Sequence, residues 1–332
     1  MRLLKLTTAV LVLWSLYWLA AGYGLRSGIT GWFDTQAQRG WQAEYANVSS
    51  GGYPTRHVTR LAAPALADPA TGLAWSADWL SFESPAIWPG RQVLRVSPDA
   101  QRISFFDRTS TIFAADLEAR LDLAPGLALE LRELALEGAA WRIQQDGADV
   151  VAADTLHLQM IQTETPETYR MGFEAAGFRP GVQIRQVMGA AKDVPDQFEA
   201  LVLDVDVQFD TIWDRGALEQ RRPQPRHIDL KRVEAQWGPM RLKAAGALDV
   251  DEAGIPSGAV NLKAENWRDM IEMAEFSGAL PASAVDSVVR VLGMLAGLGG
   301  NPEDLDIQIN FRDGFVAFGP LPLGPAPRLI IR

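Results

Sequence analysis

An uncharged run of 20 residues, Leu6 to Leu25, sets the first limit on what this chain can become. At ~1.5 Å rise per residue it makes a helix of ~30 Å, the thickness of bilayer hydrocarbon. Arg2, Lys5 and the α-amine precede it, and Arg26 follows. This bias puts the N-terminus in the cytoplasm and everything after Arg26 across the membrane. Trp14, Tyr17, Trp18 and Tyr23 fall in the outer half, where amphipathic rings favour the interface. A cleaved signal peptide is the competing reading, with Leu6–Leu19 as its apolar core and Ala20-Ala21-Gly22 as a weak cleavage site. The apolar stretch runs on through Tyr23 and Leu25 with no polar segment, which favours a retained anchor. A buried core helix is disfavoured because the run has no polar face. Both membrane readings export the rest of the chain.

The exported part is acidic. The first 26 residues hold three of the 31 basic residues and none of the 41 acidic ones, leaving 28 against 41, a net of −13. That field repels phosphate backbones and argues against nucleic acid as a partner. There is no Cys, which removes disulfides, thiolate zinc sites, iron–sulfur clusters and Cys nucleophiles together. The three His (His57, His157, His227) lie far apart in sequence.

Past Gly51-Gly52-Tyr53-Pro54, a chain break, the dominant period is two, that of a strand. Leu117, Ala119, Leu121 and Leu123 alternate with charged residues, and Leu127, Leu129 and Leu131 are read as a further strand. Leu156 and Leu158 alternate with Thr155, His157 and Gln159. The clearest case is Leu201, Leu203, Val205, Val207 and Phe209, opposed by Asp204, Asp206 and Gln208. Leu242, Ala244, Gly246, Leu248 and Val250, then Leu305, Ile307, Ile309 and Phe311, repeat it. Such alternation predicts antiparallel sheet with one wet and one apolar face. Asp251–Gly254 and Arg312–Gly314 read as hairpin turns. Asn266 is a plausible N-cap for a helix over 267–276, and Pro281 opens a second over 281–298, stopping at Gly299-Gly300.

The expected fold is therefore mainly β. An N-terminal transmembrane helix precedes a large curved antiparallel sheet or sandwich, with two or three short helices late in the chain. The expected division is an anchor (1–26), a juxtamembrane helix (27–42), an N-terminal β half (43–190) and a C-terminal β half (191–332).

Catalytic signatures are missing. There is no phosphate-binding Gly-rich loop, no Gly-x-Ser-x-Gly elbow and no His-Glu-x-x-His. Asp204, Asp206 and Asp210 lie on one strand face, about 7 Å apart per step of two, and could suggest a glycosidase pair or a cation site. A solvated β face is the better reading. Asp249, Asp251 and Glu252 near Gly254 lack calcium-loop spacing and read as a turn. Trp32 and Trp41, just after the anchor, are candidates for the headgroup region, whereas the other exported Trp read as core. No catalytic, cofactor-binding or metal residue is assigned. The candidate functional face is Leu201, Leu203, Val205, Val207 and Phe209, with Leu6 and Leu25 as the ends of the transmembrane segment.

Several short motifs occur in a familiar order: Gly52-Tyr53-Pro54, Trp213-Asp214-Arg215, Trp237-Gly238-Pro239-Met240, Asn266-Trp267, and Asp313-Gly314 followed by Phe318 through Pro327. With them the chain resembles the bacterial family called domain of unknown function 2125, found mainly in alphaproteobacteria. The resemblance implies no catalytic residues. The strand pattern behind an anchor is more loosely similar to AsmA-like envelope proteins, whose curved sheets have an apolar concave face and whose relatives move or shield lipids. Three functions follow as expectations. The first is an inner-membrane, single-pass protein with its bulk in the periplasm and a phospholipid in an apolar groove. The second is a structural or interaction module with an envelope protein partner. The third is an exported hydrolase with unrecognised residues. In the groove reading, Val205 faces mobile acyl chains; in a closed core, it meets another packed layer.

Overall fold

A computed structural model describes residues 1–189, 194–219, 221–298, 301–319 and 321–331. The chain is mainly β, as the two-residue period predicts. It opens with one long helix, α1 (Arg2–Gln38), so the apolar run and the segment after it form a single rod.

Among the described residues the strands form two antiparallel sheets, of 15 and 8 strands, and the first half of the chain alternates between them. β1 (Gln42–Glu44) is in the smaller sheet, and β2 (Asn47–Gly51) and β3 (Arg56–Ala62) pair in the larger. β4 (Ala65–Asp68) and β5 (Leu73–Ser76) return to the smaller, and β6 (Trp79–Pro85) and β7 (Arg91–Val96) to the larger. The exchange continues with β8 (Gln101–Phe105) and β9 (Arg108–Ala114), then β10 (Glu118–Leu123) and β11 (Leu131–Gly138). It ends with β12 (Trp141–Gln145) and β13 (Ala148–Ala153), β14 (Leu156–Gln162) and β15 (Thr168–Glu174), and β16 (Arg179–Pro180).

Each passage is a corner in an otherwise continuous extended path, and small residues occupy it. Ala77, Ser97, Ala114, Ala153 and Ala175 are all buried there. Backbone bonds such as Ala63 N–H to Asp78 O (2.7 Å), Ala115 N–H to Ala140 O (3.0 Å) and Asp154 N–H to Ala176 O (2.9 Å) carry the pairing through the bend. A larger side chain at these positions would overpack the corner.

After helix α2 (Val182–Val187), the larger sheet continues without returning to the smaller one. These are β17 (Ala200–Phe209), β18 (Pro225–Trp237), β19 (Met240–Val250), β20 (Pro256–Glu265), β21 (Asp304–Arg312), β22 (Phe315–Phe318) and β23 (Leu321–Pro325). Helix α3 (Arg215–Glu219) lies between β17 and β18, and α4 (Trp267–Phe276) and α5 (Ala282–Leu298) between β20 and β21. The turns at 251–255 and 312–314 join strands as predicted.

Two readings are corrected. Leu127 and Leu129 are not in a strand: they sit in the turn before β11, 92% and 39% exposed, with Leu129 at φ +53°. Asn266 precedes α4 but does not cap it with its side chain; its Nδ2 donates to Pro239 O at 2.6 Å and its backbone is left-handed. The proposed boundary at 190/191 and the helix stop at Gly299-Gly300 lie outside the described residues.

Candidate functional site

The cross-strand registers place one apolar residue per strand in a continuous row across the larger sheet. The row runs Phe82, Leu94, Ala119, Leu136, Leu158, Phe173, Leu203, Val233, Ala244, Leu262, Ile307, from β6 to β21. Eleven strands give ten steps, so at about 4.8 Å per step the row is roughly 48 Å long. Every member is half-buried: none is sealed and none is fully exposed. A second layer packed at interior density would seal such residues.

A β-bulge keeps the row intact in β18. Pairing jumps from Leu230 to Val233 against β19, so both residues face the apolar side although three positions separate them. Lys231 and Arg232 take up the extra length on the polar side, where Lys231 reaches Asp206 at 3.7 Å.

Toward the turn at the end of β17, the same face closes. Val205, Val207 and Phe209 are 6%, 7% and 3% exposed and pack with Met160 and the fully buried Tyr169. Tyr169 OH donates to Leu131 O (3.1 Å) and accepts from Trp213 N–H (3.2 Å), tying the turn after β17 over the cluster. Ile331 also packs there, held by Gln224 through Ile331 N–H to Oε1 at 3.0 Å and Nε2 to Ile331 O at 2.8 Å. Leu201 and Leu203 remain half-buried. The five residues of the predicted face therefore share a side but split between two environments.

Helices bound the apolar face. At its first edge α1 lies along β3, with Phe33 on Leu61 and Val48 and Trp18 stacked on His57 at 5.0 Å. His57, Thr59 and Leu61 are buried there. Among the described residues neither ring nitrogen of His57 has a hydrogen-bond partner, and burial holds its pKa below the ordinary value. Near the last strands α4 and α5 cover Leu242, Ala264 and Leu305, with Val289, Leu292 and Leu295 of α5 packed inward.

Beside α4 opens a cavity of about 320 Å³ lined by Met188, Phe198, Trp237, Met240, Met270 and Met273 among others. Trp237 stacks on Phe198 at 4.7 Å and donates from Nε1 to Pro195 O at 2.7 Å. Unbranched, polarizable methionines adapt to irregular apolar partners.

The opposite face is ionic. Arg170 pairs with Asp206 at 3.0 Å. Glu234, buried, accepts from Arg241 at 2.7 Å and from Arg232, and those guanidinium hydrogen bonds hold its pKa low despite burial. Asp210 departs from the solvated row. Burial works to raise its pKa, but Gln224 N–H (2.8 Å), Arg221 (2.8 Å) and Arg226 (3.4 Å) outweigh it and hold it below the usual value. His157 is half-buried, 3.8 Å from Glu137, and His227 lies 2.7 Å from Asp249. Among the described residues no three His, Asp or Glu converge as metal ligands.

Much of the row escaped the sequence reading. Tyr169, Met171 and Phe173 carried a period-two signal that could have identified β15. In β18 the bulge breaks the period between Leu230 and Val233.

The family model described as "uncharacterized protein conserved in bacteria", domain of unknown function 2125, matches residues 18–327, so the chain belongs to that family. No curated protein matches the chain in sequence.

Proposed function

We propose that this member of the domain of unknown function 2125 family is a membrane-anchored protein whose larger sheet takes up phospholipid acyl chains along its half-open apolar row. The observation that carries the reading is the row itself: eleven apolar residues in register on successive strands, none of them sealed. It begins beside α1, the one described helix long and apolar enough to cross a membrane, so lipid and row adjoin.

Retention of α1 is supported by its contacts. Trp14, Tyr17 and Trp18 donate to the carbonyls of Pro54 (3.2 Å), Ala86 (2.7 Å) and Arg56 (2.9 Å). Cleavage near Gly22 would remove these donors and uncover His57. With the charge bias around Leu6–Leu25, this supports an inner-membrane, single-pass arrangement with the sheets in the periplasm. The role is binding or shielding rather than catalysis. The closed cluster around Val205 and Phe209 favours the second reading, an interaction module for an envelope protein partner, if closure extends along the row in solution.

Photo-crosslinking tests the choice. The full chain is reconstituted with a phospholipid carrying a benzophenone on its acyl chain, and the adducts are mapped. Adducts on Leu136, Leu158, Phe173 or Leu203 are expected. Adducts confined to α1 would sink the lipid reading in favour of the interaction module.

A further inference from the structure

Rows, pockets and ionic clusters apart, one rim of the larger sheet stands out. Its hairpin turns lie side by side: Arg56 pairs with Pro85, Arg91 pairs with Asp122, and Leu123 N–H donates to Gly90 O at 3.0 Å. The three turns nearest α1 are residues 52–55 (Gly-Tyr-Pro-Thr), 85–90 (Pro-Ala-Ile-Trp-Pro-Gly) and 124–129 (Ala-Pro-Gly-Leu-Ala-Leu), with no ionisable group apart from the Tyr53 phenol. Their tips expose apolar side chains to solvent: Tyr53 53%, Ile87 75%, Trp88 39% and Leu127 92%. The turns further along the rim are charged, with Glu164 and Glu167, then Asp214 and Arg215, then Asp251 and Glu252, then Arg312 and Asp313.

From this we infer that the three turns form a seat which enters the bilayer surface beside α1. The inference rests on α1 lying in the membrane, as proposed above. Helix length carries it. Trp14 touches Pro54 and Ser15 touches Tyr53 at 3.0 Å, so only residues 2–13 of α1 project free of the sheet. Even with Arg2 and Lys5 snorkelling to the cytoplasmic headgroups, Arg2 to Trp14 at ~1.5 Å per residue gives at most about 18 Å, some 12 Å short of the ~30 Å of hydrocarbon. A helix clamped to the turns in this way cannot cross unless the turns enter too. Entry by about 5–10 Å, the depth of interfacial apolar elements, with local thinning of the bilayer, makes up the difference.

The turns suit that depth. Trp14 Nε1 and Tyr17 OH satisfy the turn carbonyls of Pro54 and Ala86, which lipid could not. Just behind the tips stand Arg56 and Arg91, 65% and 66% exposed and ion-paired with Glu83 (3.5 Å) and Asp122 (3.3 Å), charged groups suited to the headgroup level. Of the turns further along the rim, those with Glu164 and Glu167 and with Asp251 and Glu252 are acidic and repelled by anionic headgroups. Those with Asp214 and Arg215 and with Arg312 and Asp313 carry mixed charges that keep them out of hydrocarbon, so the sheet is seated at its first strands.

The chain has no Cys, so single labels are easily placed. Leu11→Cys, Ile87→Cys, Leu127→Cys, Asp146→Cys and Glu252→Cys variants of the full chain are labelled with an environment-sensitive fluorophore. They are then reconstituted into phosphatidylethanolamine–phosphatidylglycerol vesicles. Quenching by nitroxide-bearing lipid is compared with quenching by aqueous iodide. Labels at 11, 87 and 127 should be quenched several-fold more by lipid nitroxide than by iodide, and those at 146 and 252 the reverse. Protection at 11 with iodide access at 87 and 127 overturns the seat and leaves the anchor standing. Iodide access at 11 overturns both.

Discussion

Leu203 and Val205 are two residues apart on one face of β17, yet they live in different surroundings. Val205 is sealed in a cluster with Met160 and Tyr169, roofed by the turn that holds Trp213 and by Ile331. Leu203 packs at the margin of that cluster but stays half-buried, like the rest of its row between α1 and the α4–α5 pair. The difference teaches where closure comes from. The cover over Val205 is made by chain segments at the strand ends, tied by Tyr169 OH and Gln224. The row lies one step of the pleat away, about 7 Å, beyond the reach of that cover.

The comparison is broken most directly by placing a charge in each environment. Val205→Asp leaves an unpaired carboxylate in the closed cluster and should cost about 3–5 kcal/mol, enough to abolish cooperative melting in a marginal domain. Leu203→Asp should keep the melting transition and lose acyl-chain crosslinking. If the Leu203 variant also fails to melt cooperatively, the row is a closed core and the contrast disappears.

A smaller effect separates the carboxylates of the opposite face. Asp210→Asn removes the charge that Arg221, Arg226 and Gln224 N–H converge on and should cost about 1.5–3 kcal/mol. Asp204→Asn should stay within about 0.5 kcal/mol. The folded pKa of Asp210 is depressed, so its contribution is present above its unfolded pKa of about 3.9 and is lost as pH falls through the folded value. Denaturant melts of the two variants at neutral and acid pH check both the size and the sign. Equal losses would return Asp210 to the solvated row.

The smallest effect concerns the edge where α1 meets the sheet. Burial lowers the folded pKa of His57. Below about pH 6.5 the unfolded chain takes up a proton that the folded ring resists, so stability falls with pH until the folded ring titrates as well. The wild-type Tm should therefore drop as pH falls through about 6.5, a window set by the imidazole rather than the carboxylates. His57→Phe should flatten that drop; an unchanged slope would detach it from the α1–β3 contact.

Leu201 through Phe209 announced a strand because alternation is a local property, written at every second position. Leu127 and Leu129 mimicked it, yet they belong to a turn whose apolar side chains point into solvent. Leu230 and Val233 hid it, because a bulge that keeps both on the apolar face breaks the count of two. Asn266 carried the right residue type for a cap, but a carbonyl 27 positions away, Pro239 O, drew its side chain instead.

The sequence alone determined that the chain begins with a helix able to span a bilayer and continues as one-faced strands. Both follow from the spacing of apolar residues along a short stretch, and short stretches need no partner to be read. The tertiary structure alone decided which of those apolar residues are sealed. Cover over Val205 comes from Tyr169, Trp213 and Ile331, and contact with α1 comes from Tyr53, His57 and Ala86. Residues so distant in sequence meet only when registers across the sheet are set, and no local period records that meeting.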